Sequence, residues 1–269
     1  MSQPILEFDP SCMDEYDPNS LPVDIALARI DYEVSPIGGV EHVAIRSALG
    51  RVLAAPVHTP INVPLHTNSA MDGYALAASE LDGDGIKTLD IAGTSWAGRP
   101  FTHPVSAGQC VRIMTGGVMP AGTDTVVIQE RVDAQGSTAR FDAGAVKAGD
   151  NVRAAGEDLA AGSVVLDEGA RIGPAELGML ASVGIVEVPV RRRLRVAFFS
   201  TGDELRSLGE PLEEGNVYDS NRYTLFGMLQ RLGADILDLG VIRDRREDVQ
   251  RAFLEASSHA DAVITSGGV

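Results

Sequence analysis

The chain has 269 residues, of which 44% are hydrophobic and 22% charged, and its formal net charge is −16. We expect neither a membrane span nor a signal peptide, because no apolar run reaches about 18 residues and the first residues are acidic. The acidic charge argues against a nucleic-acid partner, but a small anionic ligand is still compatible with it. Cys12 and Cys110 lack the spacing of a disulfide framework or a thiolate metal site.

The first part of the chain predicts a flexible leader followed by a small mixed region. Residues 1–22 carry Asp, Pro, Ser and Asn without apolar periodicity. In residues 23–60 we expect a helix over 24–30, capped by Asp24, and an extended segment over 51–57.

Residues 151–189 return to this mixed character, with a strand over 163–166 and a helix that begins at Pro174. We expect them to pack on residues 23–60. Residues 61–150 would then be an inserted β-rich, barrel-like domain, because short β-type runs alternate there with turns rich in Gly, Pro and Asp.

Residues 190–269 predict an α/β domain with parallel strands and right-handed crossovers. The predicted strands and helices alternate in the order 194–199, 220–232, 236–239, 245–259 and 262–265. Such sheets bind their ligands at the carboxyl ends of the strands. Three strands make a poor complete sheet of this kind, so we expect the domain to be incomplete at Val269.

Two motifs lie in the β-rich region. Asp72-Gly73 predicts a two-residue hairpin turn, and the alternative is that the Asp72 carboxylate faces a ligand. Thr115-Gly116-Gly117 follows a predicted strand. It indicates either a plain β connection or a loop whose hydroxyl and backbone N–H groups bind an anion.

Two motifs place carboxylates beside other polar groups. Glu157-Asp158 next to Arg153 indicates a polarised pair or, more commonly, a solvated turn. Ser-Thr-Gly-Asp-Glu at 200–204 directly follows an apolar strand. Its side chains are therefore expected either at the ligand-binding edge or in a capped loop.

Two further aspartates precede the predicted helices of the α/β region. Asp219 is a sufficient N-cap, and Asp244 forms a D-x-x-E capping box with Glu247. A capping carboxylate can also bind a metal ion through its second oxygen, which is the alternative for Asp244.

Taken in order, these motifs resemble the MoeA and gephyrin E-domain family of molybdopterin molybdenumtransferases. The matching segments are NSAMDGYA, RIMTGGVMPAGTDTVV, NVRAAGEDLAAG, VAFFSTGDEL, VYDSN and ITSGGV. The resemblance implies a multi-domain α/β protein, in which a β-rich inserted domain is joined to an incomplete three-layer α/β molybdopterin-binding domain with parallel strands. The implied domains are a flexible leader (1–22), a linking and dimerisation domain (23–60 and 151–189), the insertion (61–150) and the molybdopterin-binding domain (190–269).

The resemblance also implies a function in molybdenum cofactor biosynthesis. A cytoplasmic homodimer would insert molybdate into adenylylated molybdopterin with Mg²⁺ or another divalent cation, and would release AMP. Molybdopterin adenylyltransferase and molybdoenzyme acceptors are possible partners, whereas nucleic acids and membranes are not expected. The alternative is a non-catalytic dimeric scaffold of the same family. An adenylylating enzyme is disfavoured, because it lacks the region of residues 24–189.

The resemblance assigns site residues position by position. The catalytic residues are Asp72, Thr115, Asp158, Glu204 and Asp244, and Asp244 is also the metal ligand. The cofactor-binding residues are Ser69, Gly73, Tyr74, Gly116, Thr201, Gly202, Asp203, Asp219, Asn221, Ser266, Gly267 and Gly268. Asp72 and Thr115 are expected to approach the cleft of a partner subunit, with Glu204 and Asp244 on the α/β side and Asp158 orienting the cleft wall. Because the family continues after Ser-Gly-Gly-Val with another metal-binding Asp and with basic residues, we expect this chain alone to be inactive.

Overall fold

A computed structural model of the chain describes residues 21–83 and 85–267. Most of the predicted leader and the predicted site residue Gly268 lie outside the described residues. Within these ranges the helices are α1 (Val23–Glu33), α2 (Pro174–Ser182), α3 (Ser220–Leu232) and α4 (Arg246–His259). The strands of the same ranges are β1 (Val40–Ala44), β2 (Val57–His58), β3 (Asn68–Ser69), β4 (Gly73–Leu76), β5 (Ile86–Ser95), β6 (Gln109–Ile113), β7 (Thr125–Ile128), β8 (Asp133–Gln135), β9 (Thr138–Asp142), β10 (Val152–Arg153), β11 (Val164–Leu166), β12 (Glu187–Arg191), β13 (Arg195–Thr201), β14 (Leu205–Arg206), β15 (Val217–Tyr218), β16 (Asp235–Ile242) and β17 (Ala262–Ser266).

The chain divides into two compact units. We call His42–Pro189 the inner unit, and Met1–Glu41 with Val190–Val269 the terminal unit. Two-stranded sheets are formed by β1 with β12, β2 with β11, β3 with β10, and β14 with β15. None of the helices in the described ranges has the length and apolar character that a bilayer crossing requires.

The inner unit is built around a six-stranded sheet with the order β7-β4-β6-β5-β9-β8. β5 and β6 run parallel, and the other neighbouring strands are antiparallel. Leu76, Val127 and Phe141 pack together in its core, each at most 3% exposed. The predicted β-rich character of this region is therefore confirmed. Cys110 is buried in the same core, and desolvation raises the pKa of its thiol to about 12, so this thiol is a poor nucleophile at neutral pH.

Two local predictions near the start of the chain are wrong. Asp24 does not cap α1, because the N-cap residue is Pro22 and no side chain supplies a capping hydrogen bond. The segment 51–57 is not a continuous strand: only Val57 belongs to β2, while Val52 forms an isolated bridge with Arg171. A pairing with a residue so distant in sequence cannot be deduced from local β propensity.

The terminal unit contains a three-stranded parallel sheet with the order β16-β13-β17. Val196 and Phe198 of β13 pack with Leu229 of α3. Successive side chains of a strand point to opposite faces, so Phe199 lies on the other face. There it meets Phe253 of α4, with ring centroids 5.1 Å apart and the rings nearly perpendicular. Helix, sheet and helix thus form three layers, which confirms the predicted α/β class.

A β-bulge interrupts the pairing of β13 with β16. Phe198 is opposite Asp238, but Ser200 is opposite Val241, so β16 contains one extra residue. Gly240 within the bulge adopts a φ of 79°, a left-handed conformation that favours glycine. Its N–H donates to Asp238 Oδ1 at 2.9 Å. The bulge therefore shifts the register of β16 just before its carboxyl end.

Candidate functional site

Asp72 and Thr115 form the most clearly defined polar contact of the inner unit. Asp72 Oδ1 accepts hydrogen bonds from the Thr115 N–H and from Thr115 Oγ1, each at 2.7 Å. The backbone hydrogen bond, the side-chain hydrogen bond and the weaker attraction of Arg112 lower the pKa of Asp72, against a smaller opposing effect of burial. Asp72 is therefore ionised at neutral pH, with one oxygen committed to Thr115.

Asp72-Gly73 is not a hairpin turn, which corrects the prediction from the sequence. β3 pairs with β10 rather than with β4, so no two-residue connection joins neighbouring strands. Gly73 is the first residue of β4, where a Cβ atom would lie 2.2 Å from the Val127 carbonyl oxygen. Glycine is required here by the close approach of two strands and not by a positive φ. Tyr74, also assigned to cofactor binding, is 5% exposed and packs in the apolar core.

The Thr115-Gly116-Gly117 loop does not present free backbone donors, which corrects the anion-binding interpretation. Thr115 N–H binds Asp72, Gly116 N–H donates to the Ser69 carbonyl at 2.8 Å, and Gly117 N–H donates to the Met114 carbonyl at 2.8 Å. Ser69 N–H in turn donates to the Gly117 carbonyl at 3.0 Å. The loop is thus locked onto Ser69.

Arg153 and Asp158 form an ion pair on the surface of the inner unit. Arg153 Nη2 contacts both Asp158 carboxylate oxygens at 2.6 Å, and Arg153 Nε lies 3.6 Å from Glu157 Oε1. The hydrogen bond to Asp158 is the main reason that the pKa of Arg153 is raised. Because both side chains are more than a third exposed, the pair contributes little stability. It does fix the Asp158 side chain in one direction.

In the terminal unit, the predicted polar residues lie at the carboxyl edge of the parallel sheet. Asn221 Nδ2 donates to Ser266 Oγ at 3.3 Å, which joins the start of α3 to the end of β17. The Asp244 N–H donates to Asp203 Oδ1 at 3.4 Å, which joins the segment after β16 to the turn after β13. Four chain segments separated in sequence are thus joined in two pairs at one edge, as expected for a sheet of this class.

Two glycines at this edge lie so close to neighbouring groups that a side chain would not fit. Glu204 lies over Gly202, where a Cβ atom would be 2.6 Å from Glu204 Oε1. Gly267 packs against Thr201, and a Cβ atom there would be 2.4 Å from the Thr201 carbonyl oxygen.

Two buried polar atoms at this edge have no hydrogen-bond partner among the described residues. They are Ser200 Oγ, in a residue that is fully buried, and Asp219 Oδ2, in a residue that is 3% exposed. Asp219 Oδ1 accepts the Arg222 N–H at 3.1 Å, which confirms Asp219 as the N-cap of α3. Ser200 is two residues beyond Phe198 on β13, so its side chain lies on the sheet face covered by α3.

Ser200 was not among the residues assigned from the sequence. The available signal was its position in the strand, because it continues the apolar alternation of Val196 and Phe198 with a hydroxyl group. The burial of that hydroxyl without a partner could not be read from the sequence.

Asp244 is not a helix cap, which corrects the capping-box prediction. The N-cap residue of α4 is Arg245, without a side-chain capping hydrogen bond. The exposed Asp244 carboxylate makes no hydrogen bond or ion pair with any residue in the described ranges. In those ranges no three His, Cys, Asp or Glu side chains form a group that could hold a metal ion.

An open cleft of about 760 Å³ lies at the same edge of the terminal unit. It is walled by the turn after β13, the following loop and the segment after β16. Its lining residues are Gly202, Asp203, Leu205, Arg206, Ser207, Glu210, Pro211, Glu213, Val241, Arg243 and Arg245.

Comparison with known proteins gives two adjoining family matches. Residues 21–184 match the family described as "MoeA N-terminal region (domain I and II)", and residues 197–269 match "Probable molybdopterin binding domain". Among solved structures, a molybdopterin biosynthesis MoeA protein from Pyrococcus horikoshii OT3 is 29% identical, with a TM-score of 0.84, over 93% of this chain and 67% of that chain.

Curated relatives show the same similarity. A molybdopterin molybdenumtransferase of Haemophilus influenzae is 44% identical over 85% of this chain and 56% of its own length. One from Nostoc is 37% identical, over 85% of this chain and 53% of that protein. The chain thus spans about half the length of these relatives. Because the first family match alone covers more than half of the described sequence, the chain belongs to the MoeA family.

Proposed function

We propose that the terminal unit binds molybdopterin at the carboxyl edge of its parallel sheet. We further propose that the whole protein inserts molybdate into adenylylated molybdopterin and releases AMP. The observation that carries the proposal is the pair of partnerless buried atoms, Ser200 Oγ and Asp219 Oδ2, at the edge where α/β sheets bind ligands. The curated relatives are named molybdopterin molybdenumtransferases, which supports a transfer of molybdenum to molybdopterin.

An unsatisfied buried polar group costs about 1–3 kcal/mol, so a ligand or a bound water that pairs with these atoms is favoured. A pterin carries both N–H donors and a carbonyl acceptor. Asp219 Oδ2 can only accept, and the Ser200 hydroxyl can both donate and accept, so the two atoms suit such a ring through a bound water.

Asp203 and Asp244 match the kind of magnesium site that has only one or two protein ligands. Mg²⁺ is often held by one or two carboxylates together with substrate phosphates and water, which requires no group of three protein ligands. In our proposal Asp244, with Asp203 beside it, would hold the ion. When bound, the ion would neutralise phosphate charge. Glu204, over Gly202, would contribute a further carboxylate at this edge.

For the inner unit we propose that the Asp72 carboxylate faces the cleft of a partner subunit in a homodimer. Its ionisation and its fixed contact with Thr115 suit a hydrogen-bond acceptor for ligand N–H groups. Asp158 would orient the cleft wall through Arg153.

We also propose the four-part division of the chain into residues 1–22, 23–60 with 151–189, 61–150 and 190–269. We further propose a cytoplasmic location, and molybdopterin adenylyltransferase and molybdoenzymes as partners.

The test is AMP release from adenylylated molybdopterin by the whole protein, with and without molybdate and Mg²⁺. We expect release that depends on both additions and that falls by about 100-fold in Glu204→Gln, as when a positioned electrostatic group is removed. Glu187→Gln, on the exposed side of β12, is the matched control and should not change the rate. Tight binding of the substrate without any release would contradict the enzyme and favour the scaffold alternative.

A further inference from the structure

The cleft at the carboxyl edge of the terminal unit contains two arginines without partners. Arg243 and Arg245 follow β16 and line the cleft. Neither guanidinium makes a hydrogen bond or an ion pair within the part of the chain that the structure describes. Arg206, which also lines the cleft, is already engaged, because its Nη1 donates to the Asp203 and Leu205 carbonyls at 2.8 Å. Two guanidinium groups of residues that line this cleft therefore have all their donors unused among the described residues.

The acidic residues that line the same cleft, Asp203, Glu210 and Glu213, form no ion pair with these arginines among the described residues. Asp203 Oδ1 accepts the Asp244 N–H, and Glu210 Oε2 accepts the Ser207 N–H at 2.9 Å. Each of these carboxylates is thus oriented by backbone donors. In addition, α4 starts directly after Arg245 without a side-chain cap, and the start of a helix carries partial positive charge.

The bulge in β16 contributes to this arrangement. One extra residue reverses the alternation of side chains along a strand, so the bulge at Gly240 places Val241 opposite Ser200. The segment that carries Arg243 and Arg245 leaves the sheet from that shifted register. Arg243 and Arg245 lie one and three residues after the end of β16 at Ile242.

We infer that Arg243 and Arg245 form a subsite for a phosphate ester, such as the phosphate of a nucleoside monophosphate. The planar guanidinium fork matches two phosphate oxygens, and the cleft has the size of small-molecule sites. The inference rests on the proposed function, which brings a phosphorylated ligand to this edge, and it names the residues that hold the phosphate.

Calorimetric titration of the full chain with AMP, adenosine and inorganic phosphate tests this subsite. We expect Arg243→Gln and Arg245→Gln each to weaken AMP binding by about tenfold, which corresponds to the loss of one charge-assisted contact. Adenosine binding should not change. Arg243→Lys keeps the charge but loses the planar guanidinium group. Its affinity for AMP should therefore lie between that of the wild type and that of Arg243→Gln.

The matched control is Arg231→Gln, an identical charge change in the last turn of α3, at the other end of that helix from the edge described here. It should leave AMP affinity unchanged, and circular dichroism checks that every variant is folded. Weaker binding of both AMP and inorganic phosphate in the double variant supports a subsite that accepts any phosphate. Weaker binding of AMP alone supports one that needs the nucleoside as well.

Equal AMP affinity in the double variant and the wild type overturns the inference, as does a wild type that binds neither AMP nor phosphate. Molybdopterin binding, measured in parallel on the same samples, tests the proposed function separately. If molybdopterin binds while the arginine substitutions have no effect on AMP, only the subsite is wrong. If neither ligand binds, both proposals are wrong.

Discussion

The Asp72 carboxylate accepts two hydrogen bonds from one residue, the N–H and the hydroxyl of Thr115, both at 2.7 Å. These two residues are 43 positions apart and come from different loops of the inner unit. The contact orients one oxygen of the carboxylate and keeps it ionised.

Thr115→Val should make the stability of the inner unit less dependent on acid pH. Hydrogen bonding lowers the pKa of folded Asp72 below its ordinary value of 3.8, so its contribution is present above that value and is lost as the pH falls through the folded pKa. The difference in unfolding free energy between wild type and Thr115→Val should therefore shrink in the same acid range. Urea unfolding at a series of pH values measures it.

Thr123→Val is the control for this comparison, because the Thr123 hydroxyl donates to the Pro120 carbonyl, which does not titrate. Its effect should be the same at every pH. A constant difference for Thr115→Val through the acid range would argue against the described contact.

Gly73→Ala should destabilise the inner unit by about 1–3 kcal/mol, the usual range for overpacking. The added methyl group would meet the Val127 carbonyl oxygen at 2.2 Å, and a backbone atom in a hydrogen-bonded strand pair cannot easily move. Gly178→Ala in α2 is the opposite case, because a Cβ atom at Gly178 would lie in open space. This substitution should stabilise the inner unit by up to about 1 kcal/mol. Urea denaturation separates the two, and similar values would refute this account of Gly73.

Ser200→Ala should stabilise the ligand-free protein by about 1 kcal/mol, because it removes a buried hydroxyl that lacks a partner. The same substitution should weaken molybdopterin binding if that hydroxyl contacts the ligand. Thermal unfolding and ligand titration measure the two effects.

Ser95→Ala provides the matched comparison in the inner unit. Ser95 is equally buried, but its hydroxyl donates to the Val118 carbonyl at 2.9 Å and accepts the Phe101 N–H at 3.3 Å. Its loss should destabilise the protein. If both substitutions destabilise alike, Ser200 has a partner in the folded protein.

Replacing Asp219 by alanine should lower the stability of the protein more than replacing Asp244, although both residues lie just before a helix. Asp219→Ala removes the N-cap of α3 and should cost about 1 kcal/mol. Asp244→Ala removes an exposed carboxylate that caps nothing, so its effect on stability should stay within about 0.5 kcal/mol. Helical circular dichroism during heating is the measurement, and a large effect of Asp244→Ala would restore the capping-box interpretation.

The main strands and helices of the parallel sheet region could be predicted from the sequence alone. The apolar run of β13 and the N-cap Asp219 of α3 depend on a few neighbouring residues, and both are observed where the pattern predicts them. The family was also readable from the sequence, because short motifs keep their order along the chain.

Features that depend on the pairing of distant segments became clear only from the folded structure. Only the pairing of β3 with β10 shows that Asp72-Gly73 is not a hairpin, and only the contact with Ser69 shows that the glycine loop has no free donors. The partnerless Ser200 hydroxyl likewise depends on helix packing over the strand. Local periodicity reports which residues are apolar, but which polar groups find a partner is determined by contacts between segments that are far apart in sequence.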